Sequence, residues 1–272
     1  MKISQSKTNQ TKNKKTHRAA IGPLGIRLFF AALLSLAAVA CGAQKLGIQC
    51  TIYVPKDASP VKLENMGLYE ADIEYVGNDC IECETKARDV SGKTGKTYVS
   101  PYNDPFVVAG QGTIGVEIES QCDGLDAIII SVGGGGLIAG IGNYLKSVWP
   151  DIQVFGCSPE NSAVMIHSMA AGKVLDLESK PTLSDGTAGG VEKDSITFPI
   201  CCEVIDETML VTEKEIREAI ILYMQYEHQL LEGAAGTAVA AMIQMKQELQ
   251  GKRVGVVICG GNISLDTLRE IL

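Results

Sequence analysis

The stretch Ser131-Val132-Gly133-Gly134-Gly135-Gly136-Leu137 constrains this chain more than any other. Ahead of it, Asp126 to Ile130 forms a short β-branched apolar run that reads as a buried strand. Behind it, Ile138 to Val148 carries apolar residues at helical spacing. Four glycines therefore lie between the end of a strand and the start of a helix. Glycine lets the backbone turn sharply and approach a ligand with no Cβ in the way. The helix start adds N–H groups without intrahelical acceptors and the positive end of a dipole. Together these describe a cradle for a phosphate group. A plain turn does not need four consecutive glycines, each of which costs backbone entropy.

The pattern around this loop is regular from Gly47 onward. Strands are expected at Ile48 to Val54, Ala71 to Val76, Thr97 to Ser100, Gln153 to Cys157 and Arg253 to Cys259, with an extended run from Glu203 to Val211. Helices are expected at Pro60 to Met66, Asp79 to Ser91, Ser162 to Ala171 and from Gly233 to about Leu249. A further helix, Asp104 to Ser120, carries an interruption at Gly110-Gln111-Gly112. Thr212 followed by Glu215 is a capping box that opens another. Strands and helices alternate, so the expected fold class is α/β, with mostly parallel open sheets covered by helices on both faces.

Charge and cysteine content narrow the function. The net charge is −8, but residues 1–56 hold nine Lys/Arg and no Asp or Glu, so the remainder carries −17. An acidic body argues against a nucleic-acid surface. Nine cysteines form no disulfide-like framework, which suits a reducing compartment. Cys80-Ile81-Glu82-Cys83 is a lone CxxC without a second ligand pair for zinc, and reads as two ordinary thiols on a helix rather than a redox pair. Residues 1–18 read as a disordered polar tail. Leu28 to Cys41 allows two readings: a secretory signal with an apolar core too short to span a bilayer, or a buried helix from Phe29 to Leu46.

In open α/β sheets, ligands lie beyond the carboxyl ends of the strands. Gly133–Gly136 and Cys259-Gly260-Gly261-Asn262 both occupy such positions. A phosphate at the first and a polar ring near the second describe a phosphorylated cofactor lying across the sheet. A dinucleotide fits poorly: the fingerprint must be forced onto Gly134, Gly136 and Ala139, and the next strand ends in Gly156-Cys157-Ser158 rather than an acid for the ribose.

The chain from about Ala37 to its end resembles the fold-type II pyridoxal-phosphate enzymes, specifically the serine/threonine dehydratase (threonine ammonia-lyase) and serine racemase group. The residues that carry the resemblance are Lys45-Leu46-Gly47-Ile48 with Val54-Pro55, Pro101-Tyr102-Asn103-Asp104-Pro105, Gly110-Gln111-Gly112-Thr113 and the tetraglycine loop. Ser184-Asp185-Gly186, Glu232-Gly233-Ala234-Ala235-Gly236 and Cys259-Gly260-Gly261-Asn262 complete them, in the family's order and spacing. The resemblance implies a pyridoxal 5'-phosphate cofactor whose phosphate is held by Gly133, Gly134, Gly135, Gly136 and Leu137. It implies that Cys259 faces the pyridine nitrogen, that Glu232 lies near the ring and that Gly186 lines the ring edge. As plain structure, Cys259 would be a buried small hydrophobe, Glu232 an acid at a helix N-terminus and Gly186 a turn.

The resemblance also implies an amino-acid substrate and an L-threonine or L-serine dehydratase reaction giving a 2-oxo acid and ammonia. It implies a homodimer and a cytoplasmic location, with export as the alternative if Leu28 to Cys41 is a signal. Its organisation would be a segment 1–35 without counterpart, a smaller α/β unit at 36–120 and a larger cofactor-binding unit at 121–272.

Two family elements have no match. The lysine that forms the Schiff base, in a Ser-Phe-Lys-x-Arg-Gly-like motif, is not found, and Lys2, Lys7, Lys12, Lys14 and Lys15 lack its context. The Ser-x-Gly-Asn-His loop that grips the substrate carboxylate is also missing. The expectation is an N-terminally incomplete fold, truncated or frame-disrupted over residues 1–35, with impaired activity. A metal site of the racemase kind is not expected, because its carboxylates would fall at Ser158 and near Val164. His167 and His228 are expected on helix surfaces. The alternatives are a non-catalytic remnant that binds cofactor or partner, a serine racemase-like enzyme and an exported binding protein.

Overall fold

The computed structural model describes residues 27–30, 35–56, 58 and 60–272. The expectations for the tail at 1–18, with its lysines and His17, lie outside the described residues, as does most of the segment 1–35.

Two parallel sheets organise the chain. The smaller pairs β2 (Thr51–Val54) with β3 (Asp72–Tyr75). It is accompanied by α1 (Ser35–Leu46), α2 (Pro60–Gly67) and α3 (Cys80–Thr94). Ile52 and Val54 alternate inward from β2 and join Ala37, Ala40 and Met66 in one apolar cluster. α3 starts on a complete capping box, Asp79 with Glu82, and stops at Gly95 in the left-handed conformation.

The larger sheet runs β1 (Arg27–Phe30), β7 (Val254–Ile258), β4 (Ala127–Ser131), β5 (Gln153–Pro159), β6 (Glu207–Val211), all parallel. Every residue of β4 and β7 is buried, as expected of central strands covered on both faces. Around it lie α4 (Pro105–Gln121), α5 (Gly136–Val148), α6 (Val164–Ala171), α7 (Thr197–Val204), α8 (Glu213–Glu227), α9 (Gly233–Gln244) and α10 (Leu265–Ile271). Ile128, Ile129, Ile130, Ile138, Ile141 and Leu145 are among the fully buried side chains. Among the described residues no helix is long and apolar enough to cross a membrane.

The structure differs from the sequence reading in several elements. α4 is unbroken through Gly110-Gln111-Gly112; a Cβ on Gly112 would stand 3.2 Å from the Gly140 carbonyl oxygen of α5, whereas one on Gly110 would meet nothing within 4 Å. A Cβ at Gly140 would run into the Val108 carbonyl oxygen and lie 2.7 Å from the Gly112 nitrogen. Thr97 to Ser100 is not a strand; the Ser100 hydroxyl instead accepts from the Asn103 N–H at 2.9 Å and shapes a turn. The extended run expected from Glu203 begins at Glu207, since Thr197–Val204 coils into α7. α9 ends at Gln244 and turns follow it. The buried-helix reading from Phe29 to Leu46 holds only in part: Arg27–Phe30 pairs with β7, and the helix begins at Ser35.

The helix crossing yields a prediction. Gly140→Ala is expected to cost about 1–3 kcal/mol, because the backbone of α4 cannot yield as a side chain would. The melting temperature should fall by roughly 5 °C, and an unchanged melt would contradict so close a crossing.

Candidate functional site

Hydrogen bonding along β4 ends where the glycines begin: Val132 donates its N–H to the Cys157 carbonyl at 2.8 Å. Gly135, with φ +85°, is the residue before α5 and offers no side-chain cap to it. Gly135 and Gly136 are buried and Gly133 and Gly134 half-buried. Among the described residues, the N–H groups of Gly133, Gly134, Gly135 and Gly136 meet no acceptor. Buried helix starts normally find partners for these donors, because a buried orphan N–H costs about 1–3 kcal/mol. Four such donors at the positive end of a thirteen-residue helix form a site for an anionic group.

The glycines themselves are demanded by the protein's own packing. A Cβ at Gly133 would stand 2.8 Å from the Thr187 carbonyl oxygen, and one at Gly135 2.7 Å from Cys201 Sγ. A Cβ at Gly134 would overlap the Tyr102 ring, and one at Gly136 would lie 3.0 Å from Tyr102 Cα. Three walls thus close on the loop: Tyr102, the turn at Thr187, and α7 with Thr197 and Cys201. Thr197 fastens its wall directly, its hydroxyl donating to the Gly134 carbonyl at 2.6 Å. Leu137, buried, begins the apolar face of α5.

The second cluster of expected residues lies around the ends of β4 and β7, which are neighbours in the sheet. Cys259 follows β7 and is 2% exposed. Glu232 is buried, precedes α9, and donates its N–H to the Gly260 carbonyl at 3.2 Å. Its carboxylate lies against Gly260, where any Cβ would overlap it. α9 is tied to β4 by the Ser131 hydroxyl, which donates to the Ala234 carbonyl at 2.6 Å. The N-terminus of α9 also abuts Leu183 and Ser184 at Gly233. Ser184 is buried, shares a 2.6 Å hydroxyl contact with Thr187, and accepts the Thr187 N–H on its carbonyl. Gly186 is exposed in the turn that this bond closes, next to the Thr187 wall of the cradle. One connected region therefore holds the glycine loop, Gly186, Glu232 and Cys259.

The side chains behind the Tyr102 wall were not singled out in the sequence. Tyr102 and Glu84 are both buried, and the phenol donates to Glu84 Oε2 at 3.0 Å. The Glu192 N–H donates to the same phenol oxygen at 2.9 Å. Arg88 grips the Glu192 carboxylate at 2.7 and 2.8 Å while its guanidinium lies 4.8 Å above the Tyr98 ring. Burial pushes the Glu84 carboxyl up to about 8, and Tyr102 and Glu192 modify it less. Burial raises the Tyr102 phenol as well. Tyr102 stands in the Pro-Tyr-Asn-Asp-Pro run that drew notice in the sequence. Glu84 gave no signal, since a glutamate on a polar helix reads as exposed.

Other expected residues lie elsewhere. Cys80 and Cys83 both belong to α3; Cys83 donates to the Val76 carbonyl at 3.2 Å, and burial raises its thiol to about 11. Ser158 is buried and donates to the Val132 carbonyl at 2.6 Å, and Val164 opens α6. His167 is exposed on α6, and His228 is exposed at the C-cap of α8.

Comparison with known proteins agrees with this geometry. The family model described as "Pyridoxal-phosphate dependent enzyme" matches residues 37–260. An L-threonine ammonia-lyase of Thermotoga maritima is 38% identical over 234 residues, which cover 86% of this chain and 58% of the relative. The chain thus spans less than two thirds of that relative's length. A processed threonine deaminase isoform 2 of Solanum lycopersicum superposes with TM-score 0.78 at 29% identity, covering 91% of this chain and 73% of that one. Maize serine racemase superposes with TM-score 0.78 at 26% identity, covering 91% and 76%.

Proposed function

Because the chain belongs to the pyridoxal-phosphate dependent enzyme family, we propose that it binds pyridoxal 5'-phosphate in the glycine cradle and is of the L-threonine/L-serine dehydratase type. The observation that carries the reading is the buried, uncapped start of α5 with its four N–H donors free of acceptors among the described residues. These residues fit a phosphate. When bound, the cofactor would supply an electron sink for the electrons released as the substrate α-proton leaves.

This chain's own residues have distinct parts in the reading. Gly133, Gly134, Gly135 and Gly136 would donate to phosphate oxygens, with Leu137 fixing the start of α5 beneath them. Cys259 would face the ring nitrogen as a weak partner, a thiol being a poor donor and acceptor. Glu232 and Gly186 would border the ring. The dehydratase reaction would take L-threonine or L-serine to a 2-oxo acid and ammonia. The 272 residues hold no Ser-Phe-Lys-x-Arg-Gly-like motif to supply the base at the α-carbon, so turnover is expected to be slow.

The nine cysteines, which form no disulfide-like framework in the sequence, support a cytoplasmic setting. A homodimer and a division into a smaller unit at 36–120 and a larger one at 121–272 belong to the same reading. The two separate sheets and apolar clusters support two units, although Tyr102, Val108 and Ile118, from within 36–120, pack in the cluster of the larger one. The likeness to maize serine racemase favours racemisation as the second reading.

Titration with pyridoxal phosphate, followed by absorbance, tests the proposal. Saturable binding is expected; its absence would contradict it. With cofactor bound, L-threonine and L-serine separate the activities. Formation of a 2-oxo acid supports the dehydratase, D-serine supports the racemase, and binding without either product supports a non-catalytic cofactor-binding chain.

A further inference from the structure

We propose that Glu84 is a positioning residue for the glycine cradle: it pins the Tyr102 hydroxyl, and through the Tyr102 ring it sets how tightly a phosphate group is held. The inference rests on the reading of the cradle as a phosphate site and adds to it a residue on the opposite, smaller-sheet side of the chain.

The geometry forms two short chains of contacts from one cluster to the cradle. In the first, Glu84 accepts the Tyr102 hydroxyl at 3.0 Å, and the Tyr102 ring covers Gly134. In the second, the Glu192 carboxylate accepts from Asn103, whose Oδ1 accepts the Ile196 N–H at 2.9 Å. Thr197 follows at once and donates to the Gly134 carbonyl at 2.6 Å. The chains are joined where the Glu192 N–H meets the Tyr102 hydroxyl. Two of the three walls therefore trace back to Glu84, Glu192, Arg88 and Asn103. A phenol with both a donor and an acceptor in place cannot turn about its bonds without losing one of them. An anion site built from backbone N–H groups depends on such fixed walls, because donors held in place need no reorganisation when the anion arrives.

Glu84 also carries a penalty that a purely structural residue would not. It is 7% exposed and faces acidic groups from each side: Asp79 at the start of its own helix and Glu192 from the segment before α7. Arg88 is the cation nearby, Cys83 adjoins on α3, and Tyr98 and Tyr102 face it from the segment before α4. Its ionisation as pH rises adds a negative charge directly behind the Tyr102 wall, which opposes an incoming dianion.

The test compares the full chain with Glu84→Gln and Tyr102→Phe, using pyridoxal phosphate and inorganic phosphate as separate probes. Affinity is measured by equilibrium dialysis at about pH 6 and about pH 9, and ³¹P shifts report the bound phosphate. Glu84→Gln keeps the acceptor and removes the charge. It should bind like the parent at about pH 6 and roughly threefold more tightly than the parent at about pH 9. Tyr102→Phe should bind roughly three- to tenfold more weakly at both. Equal affinities for all three proteins at both pH values would overturn the inference while leaving the phosphate site intact. Failure of the parent to bind either probe would overturn the site and the inference together. If Tyr102→Phe does not fold, the pH-dependent ratio of Glu84→Gln to parent decides alone.

Discussion

Gly135→Val is expected to abolish phosphate binding and to cost the fold on the order of 3–5 kcal/mol. Two penalties add at this position. Its φ of +85° lies where a β-branched residue is a steric outlier. A Cβ there would also stand 2.7 Å from Cys201 Sγ, 3.1 Å from Met165 Cε and 3.2 Å from Thr197 Cβ. Relief of either penalty displaces the first turn of α5, which carries the donors. Equilibrium unfolding and a pyridoxal phosphate titration check the two effects separately. Gly172→Ala is the control: φ is +68° but no atom lies within 4 Å of the added Cβ. It should lose about 1 kcal/mol and keep its affinity. Comparable losses in both variants would show that backbone conformation alone, and not the crowded cradle, is responsible.

Glu84→Gln is expected to stabilise the chain in mildly alkaline solution by on the order of several kcal/mol. Burial raises the Glu84 carboxyl from its ordinary 4.5 to about 8 in the folded chain. The folded state therefore binds a proton that the unfolded state has released. The sign follows: this contribution to stability is full below about pH 4.5 and is lost as pH rises to and through about 8. Glutamine carries no titrating proton and preserves an acceptor for Tyr102. The parent's melting temperature should fall between about pH 5 and 9 more steeply than the variant's, by on the order of 10 °C. Parallel curves would mean that Glu84 is not buried as an acid.

Much of this arrangement was legible from local chemistry. The β4 loop and α5 announced themselves because a β-branched run, four glycines and a helical period adjoin. The capping box at Thr212 fixed a helix start for the same reason. The reason for the glycines was only partly legible. Sequence suggested room for a ligand, whereas the structure fills each Cβ direction with Thr187, Tyr102 or Cys201 and leaves the N–H groups without an acceptor among the described residues. Those neighbours lie roughly 30 to 70 positions away, beyond the reach of any local pattern. α7 was hidden for a different reason: Thr197–Val204 is only eight residues long and its start carries no side-chain cap, so no local signal marks it. Glu84 was the least legible, since burial of a charged residue is decided by the acceptors and donors that meet it in space.

The central claim is that the amides of Gly133 to Gly136 hold the phosphate of the cofactor. The most direct measurement follows those four amides by ¹⁵N–¹H correlation spectroscopy as pyridoxal phosphate is added. Saturable downfield shifts of these amides, with one common affinity, are predicted. Saturable binding that leaves the four amides unmoved would contradict the account.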